Sequence, residues 1–323
     1  MTGGIMSSIE IGHARPVSRP ALPLFSRLAT GRYRPTRLWN KAAFRAKFAL
    51  RSLLAPGDTY RLLQMLAELP QRDAILRCQP RLPCRLHHPY LSVRLSRPQI
   101  VDALTDHYRL LNQLLPISQF PTLYAGQALT LATLCGKNDQ TYSLRLAMLE
   151  KLGKEGDLSI ALCDQQNILL AVCTFSFIDY QGARTLFIGG LQGSSPSLPH
   201  SHTQTATKAC HGLFPKRLLA DALCELARIA RCTQILAVGN GSHIYSHWRY
   251  RRKKQTQMLA DYDGFWLSLS ATPTDDGHFR LPLPPQRKPL ESIPSKKRAE
   301  YRRRYQLLDE MQRAVCASLG ATA

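Results

Sequence analysis

The stretch "KRLLADALCELARIARCTQILAVGN", Lys216 to Asn240, decides the fold. Leu219, Leu223, Leu226 and Ala230 recur at helical spacing, so its first part is a helix with one apolar face. The period then stops. "QILAVGN" is a short apolar run closed by Gly239 and Asn240, the pattern of a buried strand. Upstream, "LTLATLCGKNDQTYSLRLAML" (Leu129 to Leu149) reads as a hairpin turned at Gly136 to Asp139. "LSIALC" (from Leu158), "ILLAVCTFSFI" (from Ile168) and "ARTLFIGGL" (from Ala183) follow as strands. Two more strands bracket the turn at Asp275-Asp276-Gly277. The expectation is an α+β protein. One mixed, mainly antiparallel sheet fills 121–285, and the 216–231 helix is packed on one of its faces.

Around that core the chain changes character. Residues 1–30 are rich in Gly, Ser and Pro without a period, and are expected to be disordered. Residues 31–120 read as a basic helical region. Two short helices are expected over 38–79, broken near Pro56-Gly57 and Pro70, and a third over Ser96 to Leu115. The Ser-, Pro- and His-rich stretch from Gln192 to Thr207 reads as a loop. Residues 286–323 read as a basic C-terminal helix and tail, with Ser295 as its candidate cap.

The formal net charge is +21, and its placement matters more than its size. Residues 11–100 carry 17 Lys or Arg against 3 Asp or Glu, and residues 286–313 carry 9 against 4. The segment between, 101–280, is nearly balanced at 17 against 14. A near-neutral body with basic ends suits a polyanionic partner: an anionic membrane face, acidic lipid or nucleic acid. No nucleic-acid-binding motif accompanies the charge, which makes nucleic acid the weaker of these expectations. The bland alternative is a solvated basic surface. Nine cysteines include no C-x-x-C pair, and several lie in apolar runs. With no secretory leader or long apolar stretch, the expectation is a cytoplasmic protein, with a peripheral place at the inner membrane as the open alternative.

Six segments recur in a fixed order: "KEGDLSIAL" (Lys154–Leu162), "IGGLQG" (Ile188–Gly193), "HGLFPKRLL" (His211–Leu219), "NGSHIY" (Asn240–Tyr245), "ADYDGFW" (Ala260–Trp266) and "IPSKKRAEYRRRY" (Ile293–Tyr305). Together they resemble the bacterial VirK/YbjX family, a domain of unknown function. The resemblance implies a link to virulence, envelope homeostasis and tolerance of cationic antimicrobial peptides. It implies no settled reaction.

The order of strands and helix also resembles the GNAT acyltransferase fold. That resemblance implies acyl-CoA as the ligand, a small-molecule amine or protein as acceptor, and a helix N-terminus facing the coenzyme pyrophosphate. Here the helix would begin near Gly212 to Arg217, with Lys216 and Arg217 adding positive charge. The fold's usual loop is Arg or Gln, two residues, Gly, one residue, then Gly or Ala. This chain has "KACHGLFPKRLL" instead, with one glycine and a proline.

Candidate site residues follow from these placements. His211, His243 and Asp263 are candidate acid–base groups. Gln192, Gly193, Lys216, Arg217, Asn240 and Tyr245 lie at strand ends or the helix start, where a binding cleft is lined. For each, a cap, a turn or a core hydrogen bond is the competing reading. Arg251, Arg252, Lys296, Lys297, Arg302 and Arg303 interleave with tyrosines and are candidates for an anionic surface. No metal site is expected: His243 and His247 have the right spacing but no third ligand, and His200 and His202 are as thin.

Overall fold

The computed structural model describes residues 21–250 and 261–321. Its helices begin with α1 (Ala21–Thr30), α2 (Ala42–Ser52), α3 (Pro56–Glu68), α4 (Arg72–Cys78), α5 (Arg97–Leu114) and α6 (Phe120–Tyr124). Five strands follow: β1 (Leu129–Cys135), β2 (Thr141–Ala147), β3 (Leu158–Asp164), β4 (Leu169–Tyr180) and β5 (Ala183–Gly193). Next come α7 (His200–Ala209), α8 (Pro215–Ile229), β6 (Gln234–Val238) and α9 (Tyr262–Ser268). The order ends with β7 (Thr272–Pro273), β8 (His278–Leu281) and α10 (Ser295–Ser318).

The strands form one sheet in the order β1-β2-β3-β4-β5-β6-β8-β7. Every neighbouring pair is antiparallel except β5–β6, which is parallel. The parallel pair has a simple origin: α7 and α8 separate β5 from β6, and a crossover of that length returns the chain in the same direction. Residues 170–178 of β4 are buried without a break, so both faces of this central strand are covered. Both α5 and α8 pack against it, and α10 packs on α8. That second layer explains why α8 buries Asp221 and Glu225 as well as its leucine stripe. Each buried carboxylate has an arginine one turn away, Arg217 at 3.2 Å and Arg228 at 2.7 Å.

The structure is α+β with a mixed, mostly antiparallel sheet, as the patterning implied. Three local expectations are corrected. Residues 21–30 form a helix where disorder was expected, because Ala21, Leu24 and Leu28 bury against α3. Residues 1–20 lie outside the described residues. Three helices occupy 42–78 rather than two, and Pro56 starts α3 instead of breaking it, since a missing N–H costs nothing in a first turn. The 192–207 stretch contains α7, whose Ala206 and Ala209 are buried. "ADYDGFW" forms α9, with the Asp261 side chain accepting from Gly264 N–H as its cap.

One buried cluster joins the helical region to the sheet. Arg85 Nη2 donates to Asp157 Oδ1 at 2.9 Å, with side-chain exposures of 6% and 0%. The Tyr90 hydroxyl donates to the other oxygen of Asp157 and lies 2.8 Å from Ser176 Oγ on β4. Ser176 Oγ in turn accepts from the Asp157 N–H at 3.0 Å. Burial disfavours the charge on Arg85, but Asp157 more than offsets it and the guanidinium pKa stays raised. Replacing Asp157 by Asn is expected to cost about 3–5 kcal/mol, because Arg85 is left buried without a counter-charge. Urea denaturation reads this directly. Combining it with Arg85→Met should cost markedly less, and equal losses in the single and double variants would contradict the coupling.

Candidate functional site

Pairing between β5 and β6 runs from Thr185–Gln234 to Ile188–Ala237 and then stops. β5 continues to Gly193, whereas β6 ends at Val238, so the two strands fork. At the fork β5 carries a bulge: Phe175 faces Ile188 and Thr174 faces Gly190, which leaves Gly189 unmatched. Glycine is required here. A Cβ on Gly189 would collide with the Glu155 carbonyl oxygen and lie 3.1 Å from that of Leu91. A Cβ on Gly190 would collide with the Glu155 carboxylate. Gly156 has φ +150°, and a Cβ there would approach the Phe175 carbonyl oxygen to 2.6 Å. The Lys154–Asp157 segment therefore crosses directly over β4 and β5, and the glycines of "IGGLQG" make room for it.

That crossing puts a carboxylate in the fork. Glu155 is 1% exposed. Gln192 Nε2 donates to it, at 3.1 Å to Oε2 and 3.4 Å to Oε1. His243 Nε2 lies 3.8 Å from Oε1. The His243 ring stacks on Tyr262 with centroids 5.0 Å apart, and its Nδ1 accepts from Tyr245 N–H at 3.2 Å. Because Nδ1 accepts, the ring proton sits on Nε2, which faces the Tyr262 hydroxyl at 3.4 Å. Burial lowers the His243 pKa to about 4. The imidazole is therefore neutral near pH 7, and its contact with Glu155 is dipolar rather than an ion pair. The Tyr262 phenol is pushed up, first by burial and then by Glu155, and Tyr245 is pushed up to about 12 for the same reasons. Tyr262 Oη also accepts from Leu191 N–H at 3.2 Å, on the edge of β5 that β6 has left.

Of the residues singled out from sequence, Gln192, His243 and Tyr245 meet at Glu155. Lys216 lies close by: a Cβ on Gly193 would be 3.5 Å from its Cε, and burial lowers its pKa. Arg217 turns along α8 to Asp221. Asn240 and Asp263 have structural tasks. Asp263 Oδ1 accepts from Asn240 N–H at 2.7 Å, while the Asn240 side chain bridges Asp261 and Tyr262 N–H. These bonds lock the end of β6 onto α9, and they engage one oxygen of Asp263, a candidate acid–base group. His211 sits elsewhere. It has φ +53°, its carbonyl accepts from Arg304 of α10, and Lys137 of the β1–β2 turn contributes to the lowering of its pKa behind burial. Three strands, β3 to β5, separate that turn from β6. Lys296, Lys297, Arg302 and Arg303 are exposed on α10, and Arg251 and Arg252 lie outside the described residues. Among the described residues no group of three or more His, Cys, Asp or Glu could hold a metal, and no helix is long and apolar enough to cross a membrane.

Glu155 and Tyr262 were missed from sequence. Both stood inside quoted segments, "KEGD" and "ADYDGFW". The available signal was the Gly189-Gly190 pair inside an apolar strand, since glycine in a strand interior marks a bulge or a close backbone approach.

A fork at the one parallel pair among the described strands of a mostly antiparallel sheet, with a buried carboxylate under it, defines an α+β protein with a polar site built into its sheet. The chain belongs to the family described as Protein of unknown function (DUF535), whose model matches residues 37–317. The uncharacterized protein YbjX of Escherichia coli K12 is 45% identical over 91% of this chain and 89% of its own. An uncharacterized protein of Haemophilus influenzae is 30% identical over 68% of this chain and 70% of its own. A Mannheimia haemolytica protein named membrane protein LapB is 25% identical over 61% of this chain and 83% of its own. No solved structure matches the chain significantly.

Two outcomes test this geometry. Gly189→Ala should destabilise the protein by about 1–3 kcal/mol through its clash with backbone. Gly190→Ala should displace the Glu155 side chain instead, and a crystal structure of each variant distinguishes the two. The second outcome concerns pH. His87, His88, His107 and His243 all have pKa values lowered from 6.5 to about 4, with burial the largest cause. The unfolded chain therefore binds more protons across that window, so stability should fall as pH drops from 6.5 towards 4 and level off below. Urea midpoints measured across the range check this, and a flat profile would contradict it.

Proposed function

We propose that the protein is an acyl-CoA-dependent N-acyltransferase of the GNAT type, working at the β5–β6 fork. The observation that carries the reading is the fork itself: a bulged strand parting from its one parallel neighbour, with Glu155 buried against the bulge. The sheet order supports it, since a meander, a helical crossover, a parallel strand and a final hairpin inserted beside that strand match the resemblance noted above. Leu191 N–H is met by a side chain, not by a strand, so an amide of the coenzyme arm can take Tyr262's place on it. Lys216 and the start of α8 lie at the mouth, where phosphate charge is favoured. The loop before α8 departs from the usual pattern, and Arg304 and Glu300 occupy the space beside Gly212. Phosphate contact therefore falls to Lys216 rather than to a glycine-rich loop.

The chemistry assigns one role to each group. The acceptor ammonium gives a proton to Glu155, which Gln192 holds in place. The amine attacks the thioester carbonyl, the C–N bond forms and the C–S bond breaks. Tyr262, kept protonated by its raised pKa, gives its proton to the leaving thiolate, and the phenolate so formed takes the second proton that the amine nitrogen loses as the amide forms. His243 stays neutral and orients Tyr262 through Nε2–H. The resemblance to the VirK/YbjX family suggests an acceptor in the envelope and a role in virulence and antimicrobial-peptide tolerance. The name of the Mannheimia haemolytica relative, a membrane protein, is in keeping with that setting.

Glu155→Gln keeps the shape of the side chain and removes its basicity. It should lower turnover about a hundredfold or more, yet leave intact the rise in melting temperature that acyl-CoA gives. A strain carrying Glu155→Gln at wild-type abundance should lose tolerance of a cationic peptide. If no acyl-CoA raises the melting temperature, or if the variant strain survives as wild type does, the reading fails.

A further inference from the structure

A cavity of about 370 Å³ lies apart from the fork, between α2, the turn at 82–89 and the segment at 150–154. Its size is within the range of small-ligand pockets, about 300–1,000 Å³. Lys47, Arg51, Arg81, Arg85, Lys151 and Lys154 line it, against one carboxylate, Glu150. That carboxylate is already paired with Arg81. Lys47, Arg51 and Lys151 pair with no carboxylate among the described residues. Arg85 is 94% buried, and its Nε has no hydrogen-bond partner among the described residues. His87 and His88 complete the wall, and both are neutral near pH 7. Six cations around one concave surface, three of them without a carboxylate partner among the described residues, favour a compact polyanion, and guanidinium forks match phosphate oxygens.

Exposed apolar side chains adjoin two groups of the cavity's lining residues. Leu50, Leu53 and Leu54 are 66%, 67% and 69% exposed, within the same few residues as Arg51. On the other side Trp248 is 74% exposed. Arg249 lies over its ring at 5.3 Å and donates to the His87 carbonyl at 3.1 Å, which holds the tryptophan beside the cavity. Three large leucines and a tryptophan turned to solvent around a basic hollow suit a membrane interface, where tryptophan is enriched and apolar side chains enter the acyl layer. A soluble phosphate would use the cations and leave the exposed leucines without a purpose.

We propose that this cavity binds the phosphate of a lipid headgroup, with Leu53, Leu54 and Trp248 entering the surrounding bilayer. The site is independent of acyl transfer and stands or falls without it. The test is binding of the full chain to phosphatidylcholine vesicles with and without phosphatidate, and to soluble glycerol 3-phosphate. Replacing Lys47, Arg51 and Lys151 by Gln should weaken binding to phosphatidate vesicles roughly a hundredfold, taking about 1 kcal/mol per cation. Removing the same charge from α10, with Lys296, Arg302 and Arg303 changed to Gln, should weaken it far less. Leu53→Ser with Leu54→Ser should weaken vesicle binding and leave glycerol 3-phosphate binding unchanged. Equal losses from the cavity and α10 variants would overturn the site, because charge alone would then account for binding. Vesicle binding unaffected by the leucine changes would overturn the lipid source, leaving soluble phosphate as the ligand.

Discussion

The close approach of the Lys154–Asp157 segment to the bulge of β5 is the constraint on which the rest of the molecule depends. Backbone passes over backbone there with no room for a Cβ on Gly189. Two successive acids then point to different tasks. Glu155 goes into the fork beside Gln192 and His243. Asp157 goes into the core, where Arg85, Tyr90 and Ser176 hold it. The position of the fork carboxylate is thus set by a buried ion pair two residues away.

The same arrangement gives the basic helical region a structural reason to exist. Its stretch between α4 and α5 supplies Arg85 and Tyr90 to the sheet, and Lys47 and Arg51 of α2 and Arg81 line the basic cavity. Charge is therefore sorted by depth. The buried arginine is neutralised by Asp157, whereas the surface cations around the cavity face a single paired carboxylate. Lys154 connects the two settings. It lines the cavity, bonds to the Tyr250 hydroxyl at 2.8 Å, and adjoins Glu155 in sequence. Tyr250 also meets His88 Nδ1 at 2.9 Å, and its ring lies 5.9 Å from Tyr245. The fork and the basic hollow are linked by this chain of contacts, although their chemistries differ.

Much of the sheet was legible because strand and helix periods are local signals. The 216–231 stripe, the Gly136–Asp139 hairpin and the apolar runs of β4 and β5 all register within a few residues. What escaped was set by contacts distant in sequence. Residues 21–30 look like a linker until α3 covers them, and α7 is polar apart from the two alanines it buries. The bond from Asn240 N–H to Asp263, a candidate acid–base group in sequence, could not be read there, because Asn240 lies against it only once β6 meets α9. Glu155 was hidden for the opposite reason. A single glutamate between lysine and glycine looks like a turn, and only the glycines more than thirty residues later reveal that it is enclosed.

The most direct test of the account is a crystal structure of the protein with a non-hydrolysable acyl-CoA thioether. The account predicts that the pantetheine arm lies along Gly189–Gly193 in the fork. Its amide should then be bonded to Leu191 N–H, and its sulfur should lie beside Glu155 and Tyr262. A coenzyme that binds elsewhere, or a Leu191 N–H still bonded to Tyr262 at saturating ligand, would contradict it.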